Sequence, residues 1–298
     1  MDAIGCALLP ASCSLCGSPL PQLSSVPICD ACWTEFPVLA GPMCARCGDS
    51  LDAPALPFTP SAPSLCRVCR LAPPPFVRAV AYGLYQDRMR DAIHALKYDR
   101  LHPAARELGR MLAHAISRLA QDQDAPTDML VVPVPLHRSK LDERGFNQAR
   151  ALALYALEFL RKSHPAWRLT LASSTLMRLR ATESQAGLTP RQRRLNLRAA
   201  FLVSTPAEVE ARHVLLIDDI FTTGATASAA ARALLQAGAA SVRVATLARA
   251  RRLHDTLRGF DASIDGADNH PGLPRPPWRP PPAPTPASMY SSGNQPSF

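Results

Sequence analysis

No stretch of this 298-residue chain holds the roughly 18–20 apolar residues that a membrane span needs, because charges or prolines break every candidate. The N-terminus Met1-Asp2-Ala3-Ile4-Gly5-Cys6 lacks the basic region that precedes the apolar core of a secretory signal. A cytoplasmic chain without membrane insertion is therefore expected. Aromatics are scarce at 6 % and glycine numbers only 14, which excludes a collagen-like repeat. The 47 % apolar content still supplies a packed core. Cysteine is absent after residue 69, and proline is rare in the middle: 13 of 30 prolines fall in residues 1–76 and ten in 261–298. Acid is short between His137 and Arg198, where 13 lysines and arginines face four acids. That stretch matches the whole formal excess of +9. These asymmetries divide the chain into a cysteine-rich head at 1–75, an α/β body at 76–260 and a proline-rich disordered tail at 261–298.

What the head has is thiols in register. Eight of its nine cysteines form four pairs of identical spacing: Cys13/Cys16, Cys29/Cys32, Cys44/Cys47 and Cys66/Cys69. Two intervening residues make a tight turn that aims both sulfurs at one ion. Four thiolates at about 2.3 Å then complete a closed tetrahedron, the structural zinc arrangement. A disulfide framework needs an oxidising compartment, which the N-terminus argues against. Two structural zincs are expected, one on Cys13, Cys16, Cys29 and Cys32 and the other on Cys44, Cys47, Cys66 and Cys69; interleaved pairing stays open. Gly17 and Gly48 follow two of the pairs, where a turn calls for positive φ. Cys6 is left over, as a small buried residue. Closed thiolate sets leave no open coordination position, so these zincs are not catalytic.

After Pro73-Pro74-Pro75 the pattern changes. Val77–Tyr85, Met129–Val134, His213–Ile217 and Ser241–Leu247 read as strands. Asp87–Tyr98, Pro103–Leu119, Asn147–Lys162 and Thr226–Ala237 read as helices. The alternation predicts βαβ units and a mostly parallel sheet, whose ligands bind beyond the carboxyl ends of the strands. The run Val214-Leu215-Leu216-Ile217 ends at Asp218-Asp219, and Phe221-Thr222-Thr223-Gly224-Ala225-Thr226 then opens a helix. Backbone N–H groups at a helix N-terminus, with threonine hydroxyls, suit a phosphate. Gly224 lets the backbone approach closely. Ionised carboxylates are pure acceptors, suited to vicinal hydroxyls or a nearby Mg²⁺. A phosphorylated sugar satisfies all three. Simple helix capping is the plainer alternative, yet one N-cap oxygen already meets that need.

The stretch from Val214 to Thr226 resembles the phosphoribosyl pyrophosphate (PRPP) motif of type I phosphoribosyltransferases. Together with the four cysteine pairs it resembles the ComF family, double-zinc-ribbon proteins associated with bacterial competence. Further matching segments are Val132-Pro133-Val134-Pro135-Leu136-His137 through Arg144-Gly145-Phe146-Asn147-Gln148, Arg180 to Leu188 with Gln185, and Arg193-Arg194-Leu195-Asn196. The resemblance implies an α/β phosphoribosyltransferase-like fold with a small N-terminal double zinc-ribbon domain. It implies that Asp218 and Asp219 hold the ribose hydroxyls and act as the catalytic pair if the protein turns over. Thr222, Thr223, Gly224, Ala225 and Thr226 would hold the 5′-phosphate. His137, Arg138, Arg144, Asn147 and Gln148 would lie near the pyrophosphate, and Arg180, Gln185, Arg193 and Asn196 in a closing hood. Mg²⁺ with PRPP, single-stranded DNA and a competence helicase are the implied partners, and DNA uptake the implied role. A catalytically active phosphoribosyltransferase of nucleotide metabolism, with an unknown acceptor, uses the same pocket and stays open beside it.

The basic stretch overlaps the pyrophosphate loop and hood, and thirteen cations exceed what one pyrophosphate needs. The remainder suits phosphate tracking on single-stranded DNA by counterion release, or a solvated face. Aromatics for base stacking are few, namely Phe146, Tyr155, Phe159 and Trp167, with Tyr155 and Phe159 spaced as helix-core residues.

Overall fold

The computed structural model describes residues 12–22, 26–51, 64–98, 102–122, 124–179 and 200–251. Cys6, the expected hood residues Arg180, Gln185, Arg193 and Asn196, and the tail at 261–298 lie outside the described residues.

The head repeats one local design. The Cys13 N–H bonds Ser18 O and the Gly17 N–H bonds Cys13 O; likewise the Cys44 N–H bonds Asp49 O and the Gly48 N–H bonds Cys44 O. Gly17 and Gly48 take φ of 75° and 66°, the left-handed turn that a residue without Cβ accepts. Each knuckle is completed by a cysteine pair at the start of a short helix. Cys29 and Cys32 stand at α1 (Asp30–Thr34), Cys66 and Cys69 at α2 (Arg67–Leu71).

The body is built on five parallel strands. In spatial order they are β1 (Arg78–Leu84), β7 (Ser241–Arg249), β6 (His213–Phe221), β2 (Asp128–Pro133) and β3 (Arg168–Leu171). Val214–Ile217 and Leu130–Val134 are buried without interruption, as a sheet covered on both faces requires. Helices α3 (Asp87–Tyr98), α4 (Ala105–Ser117) and α6 (Gln148–Ser163) supply the apolar cluster on one face. There α4 and α6 touch closely at Gly109, where any Cβ would stand 2.5 Å from that of Tyr155. Helix α8 (Ala225–Gln236) covers the other face, with the antiparallel hairpin of β4 (Leu176–Arg178) and β5 (Phe201–Val203). Two short helices, α5 (Arg138–Arg144) and α7 (Pro206–Val209), sit in connections.

The expected strands and helices all form, with two differences of substance. The strand expected to end at Ile217 continues to Phe221, because Asp218, Ile220 and Phe221 stay in register with Thr246, Ala248 and Arg249 of β7. The segment expected as a loop after Val134 contains α5, capped by His137. Strands β3, β4 and β5 have only four, three and three residues, too short for an alternation to declare them.

The head lies along the open edge of β1. Val38 bridges Gly83, the Leu84 N–H bonds Pro37 O, and the Ala79 N–H bonds Arg46 O. Backbone groups that an edge strand would leave bare are thereby paired. No helix among the described residues is long and apolar enough to cross a membrane.

Candidate functional site

The carboxyl edge of the sheet collects side chains from four elements. Asp218 and Asp219 stand within the last turn of the pleat of β6, before the loop, and Asp219 is 6 % exposed. The Lys97 Nζ on α3 lies 2.7 Å from Asp219 Oδ2, and Gln148 at the start of α6 donates to the same oxygen at 3.3 Å. Asp218 Oδ1 accepts from the Asp219 N–H at 2.9 Å. Asn147 caps α6 through the Arg150 N–H and donates to Val134 O at 3.0 Å, tying α6 to the end of β2.

Two adjacent acids thus acquire different electrostatics. Burial pushes the Asp218 carboxyl well above the ordinary aspartate range, and the neighbouring Asp219 charge adds to that. Burial acts the same way on Asp219, but the Lys97 charge and hydrogen bond overcome it and hold that carboxyl low. Lys97 is raised in return: burial alone would lower it, and Asp219 outweighs the burial. The Arg178 guanidinium of β4 is lowered by burial and partly restored by Asp218. The pair is therefore one ionised and one protonation-prone carboxyl, flanked by two cations.

Beyond Phe221 the chain makes the expected turn. Gly224 takes φ 79° and precedes α8, whose first N–H, that of Ala225, bonds Thr223 Oγ1 at 3.3 Å. Thr222 and Thr223 are exposed, whereas Thr226 is half-buried in the first turn of the helix. Helix α8 has 12 residues, enough to present a positive dipole end at its N-terminus.

The other expected residues are more dispersed. His137 Nδ1 accepts from the Ser139 N–H at 3.3 Å and caps α5, which leaves Nε2 for the ring proton. Arg138 is exposed. Arg144 lies over the Tyr98 ring, 4.9 Å from its centroid, and donates to the Tyr98 hydroxyl at 2.9 Å. Phe146 stacks on His102 at 4.0 Å and, like Tyr155, Phe159 and Trp167, packs against the core. Sequence reading missed Lys97 and Arg178 as site residues. Lys97 had a signal: it ends the apolar stripe Met89, Ile93 and Leu96 of α3, where a cation demands a buried partner. Arg178, in a three-residue strand, had none.

The eight paired cysteines gather into two sets, Cys13/Cys16/Cys29/Cys32 and Cys44/Cys47/Cys66/Cys69, with the sulfurs of each set within 4.8 Å of one another. Thiolates at about 2.3 Å from a tetrahedral zinc stand about 3.8 Å apart. The Sγ separations of Cys13–Cys32, Cys16–Cys29 and Cys47–Cys66 are 3.8, 3.7 and 3.7 Å, so both sets fit the ion. In the second set all four cysteines are buried; burial pushes the Cys69 thiol up to about 12, whereas a hydrogen bond from Cys47 holds Cys44 well below the ordinary thiol value. The sequential pairing is the one the fold brings together. Backbone N–H groups support it equivalently in both sets, from Cys29 to Cys13 Sγ and from Cys66 to Cys44 Sγ, each at 3.3 Å.

Comparison with known proteins agrees with this architecture. Residues 5–70 match the double zinc ribbon domain, and residues 155–263 match the phosphoribosyl transferase domain. The sheet itself begins earlier, at Arg78. DNA utilization protein YhgH of Salmonella typhi is 33 % identical over 241 residues, which cover 81 % of this chain and 98 % of that protein. Competence protein F of Haemophilus influenzae is 27 % identical, covering 75 % of this chain and 90 % of its own. Competence protein ComFC of Bacillus subtilis is 29 % identical, covering 74 % and 84 %. Two zinc-type ribbons ahead of a phosphoribosyltransferase-type sheet, aligned almost end to end with such a relative, place this chain in the ComF family.

Proposed function

We propose that the carboxyl edge of the sheet binds PRPP and that the protein serves DNA uptake or utilisation in the cytoplasm. The relatives' names, Competence protein F, Competence protein ComFC and DNA utilization protein, support the cellular role. The observation that carries the ligand is the joining of one carboxylate pair to one phosphate-type turn on a single strand–loop–helix unit. Asp218 and Asp219 meet the ribose diol, while Thr222–Thr226 and the N-terminus of α8 take the 5′-phosphate. Lys97 and Gln148 already engage Asp219, so the pair does not suit a resident Mg²⁺; the ion belongs to the pyrophosphate and arrives with it. Arg138 and Arg144 are the cations nearest in sequence to receive that pyrophosphate. Arg180, Gln185, Arg193 and Asn196 fit a hood that excludes water from the activated sugar.

Single-stranded DNA fits the exposed cations of α5 and α6, Arg138, Lys140, Arg150, Arg161 and Lys162, beside the ring pairs His94–Tyr98 and His102–Phe146. Replacing Arg138 and Arg150 by Ala is expected to weaken binding and to reduce the salt slope by about one for each phosphate no longer neutralised. An unchanged slope removes this face from the DNA reading.

The ligand is tested by calorimetric titration of PRPP with Mg²⁺ into wild type and Asp218→Asn. Binding by wild type, weakened at least about tenfold in the variant, is the expected result for a hydrogen bond to an acid at the diol. No binding to zinc-loaded wild type overturns the PRPP reading. Pyrophosphate release with a panel of nucleobases then separates a ligand sensor from a transferase.

A further inference from the structure

Arg249 ends β7 and is 1 % exposed, the largest fully buried side chain among the described residues. Its guanidinium contacts the second ribbon, at Cys47 and Asp49, and the floor of the turn. Nη1 donates to Cys47 O at 2.7 Å, Nη2 reaches Cys47 Sγ at 3.6 Å, and Asp49 pairs with Nε at 3.2 Å and Nη2 at 3.1 Å. The guanidinium carbon of the same group lies over Phe221, 4.7 Å from the ring centroid. Phe221 is the floor of the turn: a Cβ on Gly224 would stand 2.6 Å from its Cζ and 2.9 Å from Cε1. Its edge is fixed by Phe76 at 5.9 Å, and the Ala250 N–H bonds Phe221 O at 2.9 Å. One planar cation thus has a metal-type thiolate on its rim and the phosphate turn on its face.

We propose that Arg249 is a positioning residue that couples the second zinc ribbon to the Phe221–Thr226 turn. With zinc held, Cys47 and Asp49 fix the guanidinium plane, the plane fixes Phe221, and the ring seats Gly224. When the ribbon opens, the fork loses its partners and the turn loses its floor. Outer partners of metal ligands tune affinity by about 10–100-fold, and coupling between two sites is reciprocal. Ligand at the turn therefore tightens zinc at Cys44, Cys47, Cys66 and Cys69 at equilibrium. That second half rests on the phosphate reading of the turn; the first half does not.

The test uses full-length, zinc-loaded protein with Arg249→Lys, which keeps the charge and loses the fork, and Phe221→Leu, which cuts the link at its other end. Arg88→Met, on α3 facing the first ribbon, is the control. Amide exchange of peptides spanning residues 220–226 is expected to rise about tenfold in both linkage variants and to stay at wild type in the control, with α6 unchanged. In Arg249→Lys one of two zincs is expected to pass to a chromogenic chelator about tenfold faster. Turn exchange at the wild-type rate in both linkage variants overturns the proposal, as does equal loosening in the control. PRPP with Mg²⁺ is then expected to raise the affinity for that one zinc, read by chelator competition at equilibrium, in wild type and not in Arg249→Lys. If wild type binds no PRPP, the ligand reading fails, and the exchange data still decide the role of Arg249.

Discussion

The first ribbon shares the apolar core of α3, α4 and α6, whereas the second shares the core beneath α8 and the hairpin. Beside the backbone contacts with β1, an arginine of the body reaches each ribbon, and the two contacts differ in kind. Arg88 donates to Leu15 O at 2.8 Å and to Glu35 at 3.2 Å, with its side chain 32 % exposed. Arg249 is enclosed and touches a cysteine of the set it serves. Both ribbons have the same spacing within their cysteine pairs, the same knuckle and the same helix-borne second pair. What a thiolate set does for a fold is therefore decided by what its outer atoms touch, not by its ligands.

Removing each zinc set breaks the comparison most severely. Cys13→Ser/Cys16→Ser and Cys66→Ser/Cys69→Ser are each expected to reduce bound zinc from about two ions to one, by the four-thiolate stoichiometry. The folding energy lost locally is on the order of 10 kcal/mol, the scale of structural zinc. PRPP affinity is expected to collapse only in the second variant. Metal analysis beside calorimetry checks this, and equal loss in both would remove the distinction between the ribbons.

The adjacent acids offer a second contrast, at the other end of the same strand–loop unit. Asp219→Asn leaves the Lys97 ammonium buried without its counter-charge, a loss of about 3 kcal/mol in denaturant unfolding. Asp218→Asn is expected to do the opposite, with a dependence on pH. A carboxyl whose folded-state value is raised contributes stability that is full below its unfolded value and lost as pH rises through the folded one. The gain of Asp218→Asn over wild type therefore grows from about the ordinary aspartate value of 3.8 upward. For Asp219 the sign reverses: its depressed value gives stability above the ordinary range that is lost as pH falls through the folded one. Thermal melts of both variants from about pH 2 to pH 8, a window that spans both titrations, should diverge; parallel curves would falsify the assignment of opposite states to the pair.

Gly224 sharpens the link between the second ribbon and the turn. Gly224 and Gly145 take φ of 79° and 76°, so alanine costs about 1 kcal/mol at either from backbone strain alone. A Cβ on Gly145 would meet nothing within 4 Å, whereas at Gly224 the Phe221 ring must move. Gly224→Ala is therefore expected to lose more stability than Gly145→Ala and also to weaken ligand binding. Equal costs would mean that the ring yields freely.

Much of this was legible in the residues. The thiol pairs, the buried run before Asp218 and Asp219, and Gly224 each state their chemistry locally, and the helices declare themselves by apolar stripes. The strand's passage through both acids was not legible, because carboxylates read as the end of a buried strand when their partners, Lys97 and Gln148, are unseen. Lys97 lies 122 residues before Asp219 and Gln148 lies 71 before it, so only the fold brings them together. Arg249 was hidden for the same reason. Its partners Cys47 and Asp49 are 200 or more residues away, and a basic residue after an apolar strand reads as a solvated end.

The smallest effect belongs to the first ribbon's tie. Arg88 carries one carbonyl bond and one ion pair with Glu35, whose side chain is 58 % exposed, so water replaces most of what is removed. Arg88→Met is expected to cost about 0.5–1 kcal/mol, the range for exposed pairs, and that loss should shrink as salt rises. The methionine keeps the apolar stem over the ribbon, so zinc content should remain about two ions by the four-thiolate count. Denaturant unfolding at low and high salt measures the stability loss and its salt dependence, and metal analysis measures the zinc. A salt-independent loss of several kcal/mol would mean that the Leu15 carbonyl bond, rather than the ion pair, holds the first ribbon to α3. The two arginine ties would then be alike in strength, and burial would no longer be what separates them.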